Sequence, residues 1–156
     1  MSLLLIIRLR GRTGVPPDVE KTLELLRLTR KFHAVIYPES ESVKGMLEVV
    51  KDWVTWGEVS PEVLKELITY RGRLVGDKPI TQEDIKKLFS ASSIDDLVDA
   101  LINGKVLWHK VPEVEPVFRL RPPKGGFKRS VRRPYKSQGE LGYRGPDINE
   151  LVRRMI

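Results

Sequence analysis

The chain opens on a solid block of apolar positions. Leu3–Leu9 reads LLLIIRL and is bounded by Gly11 and Gly14, which predicts a buried strand. The turn RGRTGVPPD follows, with Pro16, Pro17 and Asp18 placed for a helix entry. From Val19 the period changes. Val19, Leu23 and Leu26, with Leu25 and Leu28 beside them, keep helical spacing, while Glu20, Lys21, Glu24 and Arg27 fill the other positions. Ala34–Tyr37 is a second short strand, ended by Pro38. Ser40 or Ser42 then caps a helix to the region of Lys51, with Val43, Met46, Leu47 and Val50 as its apolar stripe. Trp53–Val59 reads as a third strand, in which a period of two sends Trp53 and Trp56 to opposite faces. One of them belongs to the core; the other covers adjoining helices or meets a partner.

These segments spell β-α-β-α-β, a compact α+β sheet with helices on one face. Ser60-Pro61 starts a further helix to the region of Tyr70, with Ser at the cap and Pro in the first turn. Arg71–Pro79 is a loop or short hairpin. Thr81 caps a helix ending near Phe89, and another runs from Ser93 to about Asn103, closed by Gly104. Val106–Lys110 is a strand or extended stretch. Beyond Val111, Pro and Gly dominate until Pro146-Asp147 opens a terminal helix. Three segments result: a core over residues 1–59, a helical and acidic extension packed on it over 60–115, and an extended basic segment with a short terminal helix over 116–156. No internal repeat is visible.

Composition narrows the class. Forty per cent apolar residues with three Trp supports a modest core. No apolar run approaches the roughly 20 residues a membrane helix needs. MSLLLIIRLRG lacks the basic start and small-residue cleavage site of a secretory leader, so it is read as a strand. With no Cys, disulfides and thiolate metal sites are excluded. Charge is unevenly placed: residues 1–37 carry +4, residues 38–115 carry −5 and residues 116–156 carry +8. Two basic ends around an acidic middle imply one face that seeks a polyanion and another that does not.

The basic density peaks over Arg119–Lys136, RLRPPKGGFKRSVRRPYK, with eight Lys or Arg and no acid. Such a stretch has little to bury against the entropy of ordering. It suits a row of cations laid along phosphates, with Phe127 and Tyr135 available to stack on bases. Arg121, Lys124, Lys128, Arg129, Arg132, Arg133 and Lys136 are its candidate contacts, with Gly125 and Gly126 as the bend. If six of its cations met phosphates, the log–log salt slope of binding would be roughly −4 to −5. A second candidate is the first turn, where Arg8, Arg10 and Arg12 surround Gly11. That turn lacks both the Walker and the dinucleotide-binding spacing, and an ordinary solvent-facing turn stays open as its alternative. A third is the end of the first helix, Arg27, Arg30 and Lys31, where cations are favoured by the helix dipole in any case.

Other chemistry finds little support. Asp95, Asp96 and Asp99 share a helix face, but no His, Cys or other polar group is tied to them, which fits a solvated acidic surface. His33 and His109 stand alone. No catalytic residue, metal site or cofactor is assigned.

The run RLRGRTGVPPDVEKTLELLRLTRKFHAVIYPESESVKGMLEVVKDWVTWGE resembles the large-subunit ribosomal protein thirty family in its archaeal form. Eukaryotic members, called large-subunit protein seven, show a similar R-x-R-G-x-x-G-V-x-P opening, an L-x-L-L-R-L helix and an aromatic-aliphatic-Gly stretch like Val54–Gly57. RPPKGGFK followed by GELGYRG is similar to the archaeal and eukaryotic extension. The resemblance spans essentially the whole chain, with departures mainly in residues 77–115. It implies a ferredoxin-like sheet core plus an extension, bound to large-subunit ribosomal RNA. It also implies RNA contact at Arg10, Gly11 and Arg12, at Arg27 and Arg30, and over Arg121–Lys128.

The expectation is therefore a non-catalytic structural component of the large ribosomal subunit, located in the cytoplasmic ribosome. Its partners are ribosomal RNA and neighbouring ribosomal proteins, with no membrane and no small-molecule substrate. The basic segment is expected to order on assembly. Two alternatives stay open: a free RNA-binding regulator, and an RNA-processing enzyme using Asp95, Asp96 and Asp99 with a metal.

Overall fold

A computed structural model describes residues 2–156. Three strands form the centre of its main sheet: β1 (Leu3–Arg8), β2 (His33–Pro38) and β3 (Val54–Glu58). Antiparallel β1 lies between β2 and β3, which run parallel to each other. Alternation along β1 separates two cores. Leu3, Leu5 and Ile7 face one, Leu4 and Ile6 the other, so the strand is buried on both sides and shows no polar alternation. Helices α1 (Pro17–Leu25) and α2 (Glu41–Val50) cover the Leu4–Ile6 side, as the opening β-α-β-α-β pattern predicts. The opposite side is covered by α3 (Pro61–Arg71), α4 (Gln82–Phe89), α5 (Ile94–Ile102) and α6 (Ile148–Met155).

Local chemistry sets the helix starts. Ser40, Ser60 and Ser93 each accept a hydrogen bond from a backbone amide of the first turn, which identifies Ser40 rather than Ser42 as the α2 cap. Thr81 and Asp84 satisfy one another's backbone amides in a reciprocal capping box. α1 ends earlier than its apolar stripe suggests. The Leu28 amide bonds to the Leu23 carbonyl and the Arg27 amide to that of Glu24, a Schellman closure that leaves Arg27 left-handed at φ +66°. Leu23 and Leu28, both fully buried, make the hydrophobic contact that accompanies this motif.

Arg71–Pro79 is a hairpin, β4 (Arg73–Leu74) with β5 (Lys78–Pro79). Val106–Lys110 differs from the expected strand or extended stretch, because Trp108–Lys110 forms one turn of 3-10 helix. Trp108 fixes that turn by stacking between Phe89 and Phe118. Three further strands are not visible in the hydrophobic pattern: β6 (Phe118–Arg119), β7 (Ser130–Pro134) and β8 (Gly139–Tyr143). They extend the sheet to the order β6-β2-β1-β3-β8-β7, with β8 parallel to both β3 and β7. Within the C-terminal region, residues 120–129 are the longest stretch without regular structure, while Leu141, Ile148, Leu151, Val152 and Met155 are buried in the same core as β1. Trp53 precedes β3 and so escapes its pleat. It packs on the same side as Trp56, not the opposite one.

Candidate nucleic-acid interface

The strand registers bring four connections to one end of the sheet. The chain leaves β1 after Arg8, enters β2 at His33, enters β3 at Val54 and leaves β6 after Arg119, all at that end. Arg10, Arg12, Arg27, Arg30, Lys31, Arg121, Lys124 and Lys128 lie on or beside these connections. Helix geometry alone did not require the first turn and the end of α1 to meet, but the fold joins them. The opposite end receives Glu39 after β2 and Glu58 at the end of β3, beside Glu62 in the first turn of α3. Cations of the first turn, the end of α1 and the C-terminal stretch thus form a basic pole at one end of the sheet. Glu39, Glu58 and Glu62 form an acidic pole opposite, and a polyanion would be drawn to the basic one.

Arg8 is not part of that exposed set. It occupies the inward row of β1 after Leu4 and Ile6, and only 2% of its surface is exposed. Its Nη1 donates to the Leu28 carbonyl at 2.7 Å, Nε to Arg10 at 2.9 Å and Nη2 to Gly11 at 3.1 Å. Burial lowers its pKa, with Glu20 opposing. The side chain sets the shape of the basic end from inside. Arg10 is half-committed: its guanidinium lies 4.1 Å over the Trp53 ring and donates to the Asp52 carbonyl at 3.1 Å. Arg12, Arg27, Arg30 and Lys31 are exposed.

In the basic C-terminal stretch, Pro123 is buried and the bend at Gly125 and Gly126 is left-handed at both residues, φ +79° and +74°. Arg154 holds this bend by donating to the Gly126 carbonyl at 2.9 Å, and the Lys124 amide bonds to the Arg154 carbonyl. Nothing lies within 4 Å of where a side chain would stand at either glycine, so the outer surface of the bend is open to a close-approaching backbone. Arg121, Lys124, Lys128 and Arg129 are exposed within four residues of it along the chain, while Arg132 and Arg133 are exposed on the edge strand β7 and Lys136 is exposed just after it.

The two rings proposed for base stacking have protein partners. Phe127 is half-buried, its centroid 6.1 Å from that of Phe32. Tyr135 lies beneath the guanidinium groups of Arg144 and Arg129, and its hydroxyl donates to Asp147 at 2.7 Å, which raises its pKa. Arg144, which the sequence did not single out, is buried with Glu140 at 3.0 Å and donates to Thr55 on β3 at 2.8 Å. The Arg144–Glu140 pair closes the β8 seam.

Asp95 pairs with Lys65 at 3.0 Å and Asp96 accepts from Ser92, so two of the three carboxylates on α5 already have protein partners. Among the described residues no three His, Cys, Asp or Glu side chains gather to hold a metal ion, and no helix is long and apolar enough to cross a membrane.

The profile of the family described as Ribosomal protein L30p/L7e matches residues 4–54, from β1 to the start of β3. The chain is 54% identical to the Large ribosomal subunit protein uL30 of Staphylothermus marinus over 160 residues, covering 99% of each. It is 52% identical to the protein of that name from Thermofilum pendens over 157 residues, covering all of both. This chain belongs to the ribosomal protein L30p/L7e family. A more distant archaeal member, the uL30 protein of Thermoplasma acidophilum, is 47% identical and still aligns over 99% of the chain. Similarity to these family members therefore runs through the basic stretch and α6, well past the region the profile matches.

Proposed function

We infer that this chain is a non-catalytic structural constituent of the large subunit of the cytoplasmic ribosome, acting in translation by binding ribosomal RNA. The observation that carries the reading is the pairing of whole-length similarity to uL30 proteins with a sheet whose cationic connections share one end. Arg10, Gly11, Arg12, Arg27, Arg30 and Lys31 form the core part of the RNA surface, and the open bend at Gly125–Gly126 with its surrounding cations forms the second. Neighbouring ribosomal proteins meet the acidic pole. Arg8 serves by holding the first turn in shape. The RNA is recognised through its backbone and form, since the exposed groups are dominated by guanidinium and ammonium donors suited to phosphate.

Sucrose-gradient sedimentation of a native lysate at low and high salt tests this. Co-migration with large-subunit RNA near one copy per subunit, persisting into moderate salt, is expected. A peak at the top of the gradient at all salt concentrations would leave a free RNA-binding protein as the better account.

A further inference from the structure

A third cationic feature lies outside the two surfaces assigned above. Arg71 ends α3, Arg73 begins the β4–β5 hairpin, and Arg119 lies in β6. All three line a cleft of about 430 Å³ together with Gly76, Asp77, Glu115 and Val117. Backbone bonds fix its two walls relative to one another. The Val75 amide bonds to the Glu113 carbonyl at 2.9 Å and the Glu115 amide to the Arg73 carbonyl at 2.9 Å, with Leu74 bridged to Val114.

Inside the cleft one carboxylate oxygen of Asp77 is placed between two guanidinium groups, 3.8 Å from Arg73 Nε and 3.7 Å from Arg119 Nη1. Both separations exceed hydrogen-bonding distance, and all three side chains reach solvent, so these pairs contribute little to stability. Asp77 also sits in left-handed backbone at φ +60°, at the hairpin tip. A single oxygen shared loosely by two forks leaves most of their donors unused, although Arg73 Nη1 also donates to the Gly72 carbonyl at 2.7 Å. A phosphate offers several oxygens at the geometry guanidinium groups favour. The cleft also continues the basic pole: Arg119 pairs in register with His33, which follows Arg30 and Lys31, and Arg121 lies two residues on.

We propose that Arg71, Arg73 and Arg119 form a phosphate-binding cleft that takes the RNA backbone one strand beyond the surfaces described above, and that Asp77 occupies its guanidinium groups until a phosphate displaces it. This rests on the RNA-binding reading and extends it. Asp77 then acts as an internal competitor, so its removal strengthens binding while removal of the arginines weakens it.

The test is filter binding of the full chain to a large-subunit ribosomal RNA transcript across a potassium chloride series. R73Q/R119Q should bind about ten-fold more weakly at low salt, with a log–log slope shallower by roughly 1 to 2. D77N, whose Asn tolerates the left-handed backbone, should bind several-fold more tightly than wild type and than the control E113Q, which makes the same charge change outside the cleft. Thermal melts confirm that each variant folds. If D77N matches E113Q, or R73Q/R119Q keeps the wild-type slope, the cleft carries no phosphate. Failure of the wild-type chain itself to bind the transcript would instead overturn the RNA-binding reading, and the cleft with it.

Discussion

The Arg8 guanidinium donates to the Leu28 carbonyl at 2.7 Å across the basic end of the sheet. Its other nitrogens reach the carbonyls of Arg10 and Gly11, so one buried cation ties the first turn to the segment that follows α1. Two loops 20 residues apart in sequence are thereby held as one surface.

This arrangement separates two roles that the sequence presents as one row of arginines. R8M should remove three carbonyl partners in a dry site and cost about 3 kcal/mol of stability. R8K should recover little, because an ammonium cannot satisfy the same three-way fork. R12Q, on an exposed residue, should leave the melting temperature within a degree or two while weakening RNA binding. Parallel thermal melts and filter binding on the three variants check the split. Equal melting temperatures for R8M and R12Q would mean that the Arg8 contacts are energetically idle.

Arg27 offers a complementary test. Its left-handed conformation at the end of α1 is the position where glycine is most often found, and a side chain there costs about 1 kcal/mol. The RNA contact proposed for Arg27 would give an arginine at such a site a use outside the fold. R27G and R27N should therefore be as stable as wild type or slightly more so, since glycine's gain in the folded state is partly offset by its freer unfolded chain. Both should bind ribosomal RNA more weakly and with a shallower salt dependence. A variant that lost stability without losing affinity would assign Arg27 to the fold instead.

Much of this architecture was legible because its signals are local. The apolar block at Leu3–Ile7, the stripes of α1 and α2, and the caps at Ser60 and Thr81 are each written within one turn or one strand. What stayed hidden depends on distant partners. β7 is an edge strand with Ser130, Arg132, Arg133 and Pro134 all exposed, so its side chains carry no hydrophobic alternation to read. β8 buries Glu140 beside Leu141, and a carboxylate does not read as a buried position unless a partner such as Arg144 is known. Arg8 had one usable signal, its inward position on a strand with no polar alternation. Arg71 and Arg73 had none and Arg119 only its place at the head of the basic run, because the proximity of the three comes from the hairpin's bonds to residues 113–115.

His33 makes the stability of the free protein depend on pH. Burial, followed by the charges of Arg119, Arg30 and Arg8, lowers its pKa from the ordinary 6.5. The unfolded chain thus takes up a proton near 6.5 that the folded chain still refuses. Stability should be intact above that value, decline as pH falls below it, and level off once the folded imidazole titrates. His109 is lowered in the same direction by burial, so H33N should reduce the slope and H33N/H109N should nearly abolish it in that range. Melting temperatures between pH 7.5 and 5 report this. RNA phosphates placed beside Arg30 and Arg119 would oppose the same repulsion, so binding should take up protons in slightly acidic buffer.

The Arg144–Glu140 pair provides the sharpest test of how the C-terminal strands are held. Both side chains are about 4% exposed, the ions lie 3.0 Å apart, and Arg144 also donates to Thr55 on β3. A buried ion left without its partner typically costs about 3–5 kcal/mol, while replacing both by apolar groups of similar volume is often nearly neutral. R144M and E140L should accordingly lower the melting temperature and speed hydrogen exchange over residues 130–143 before the β1–β2–β3 centre is affected. The double variant R144M/E140L should regain most of the loss, with a coupling energy of about 2 kcal/mol or more in the cycle. Additive losses in that cycle would mean that the two charges act separately. The β8 seam would then depend on Thr55 and the backbone ladder alone.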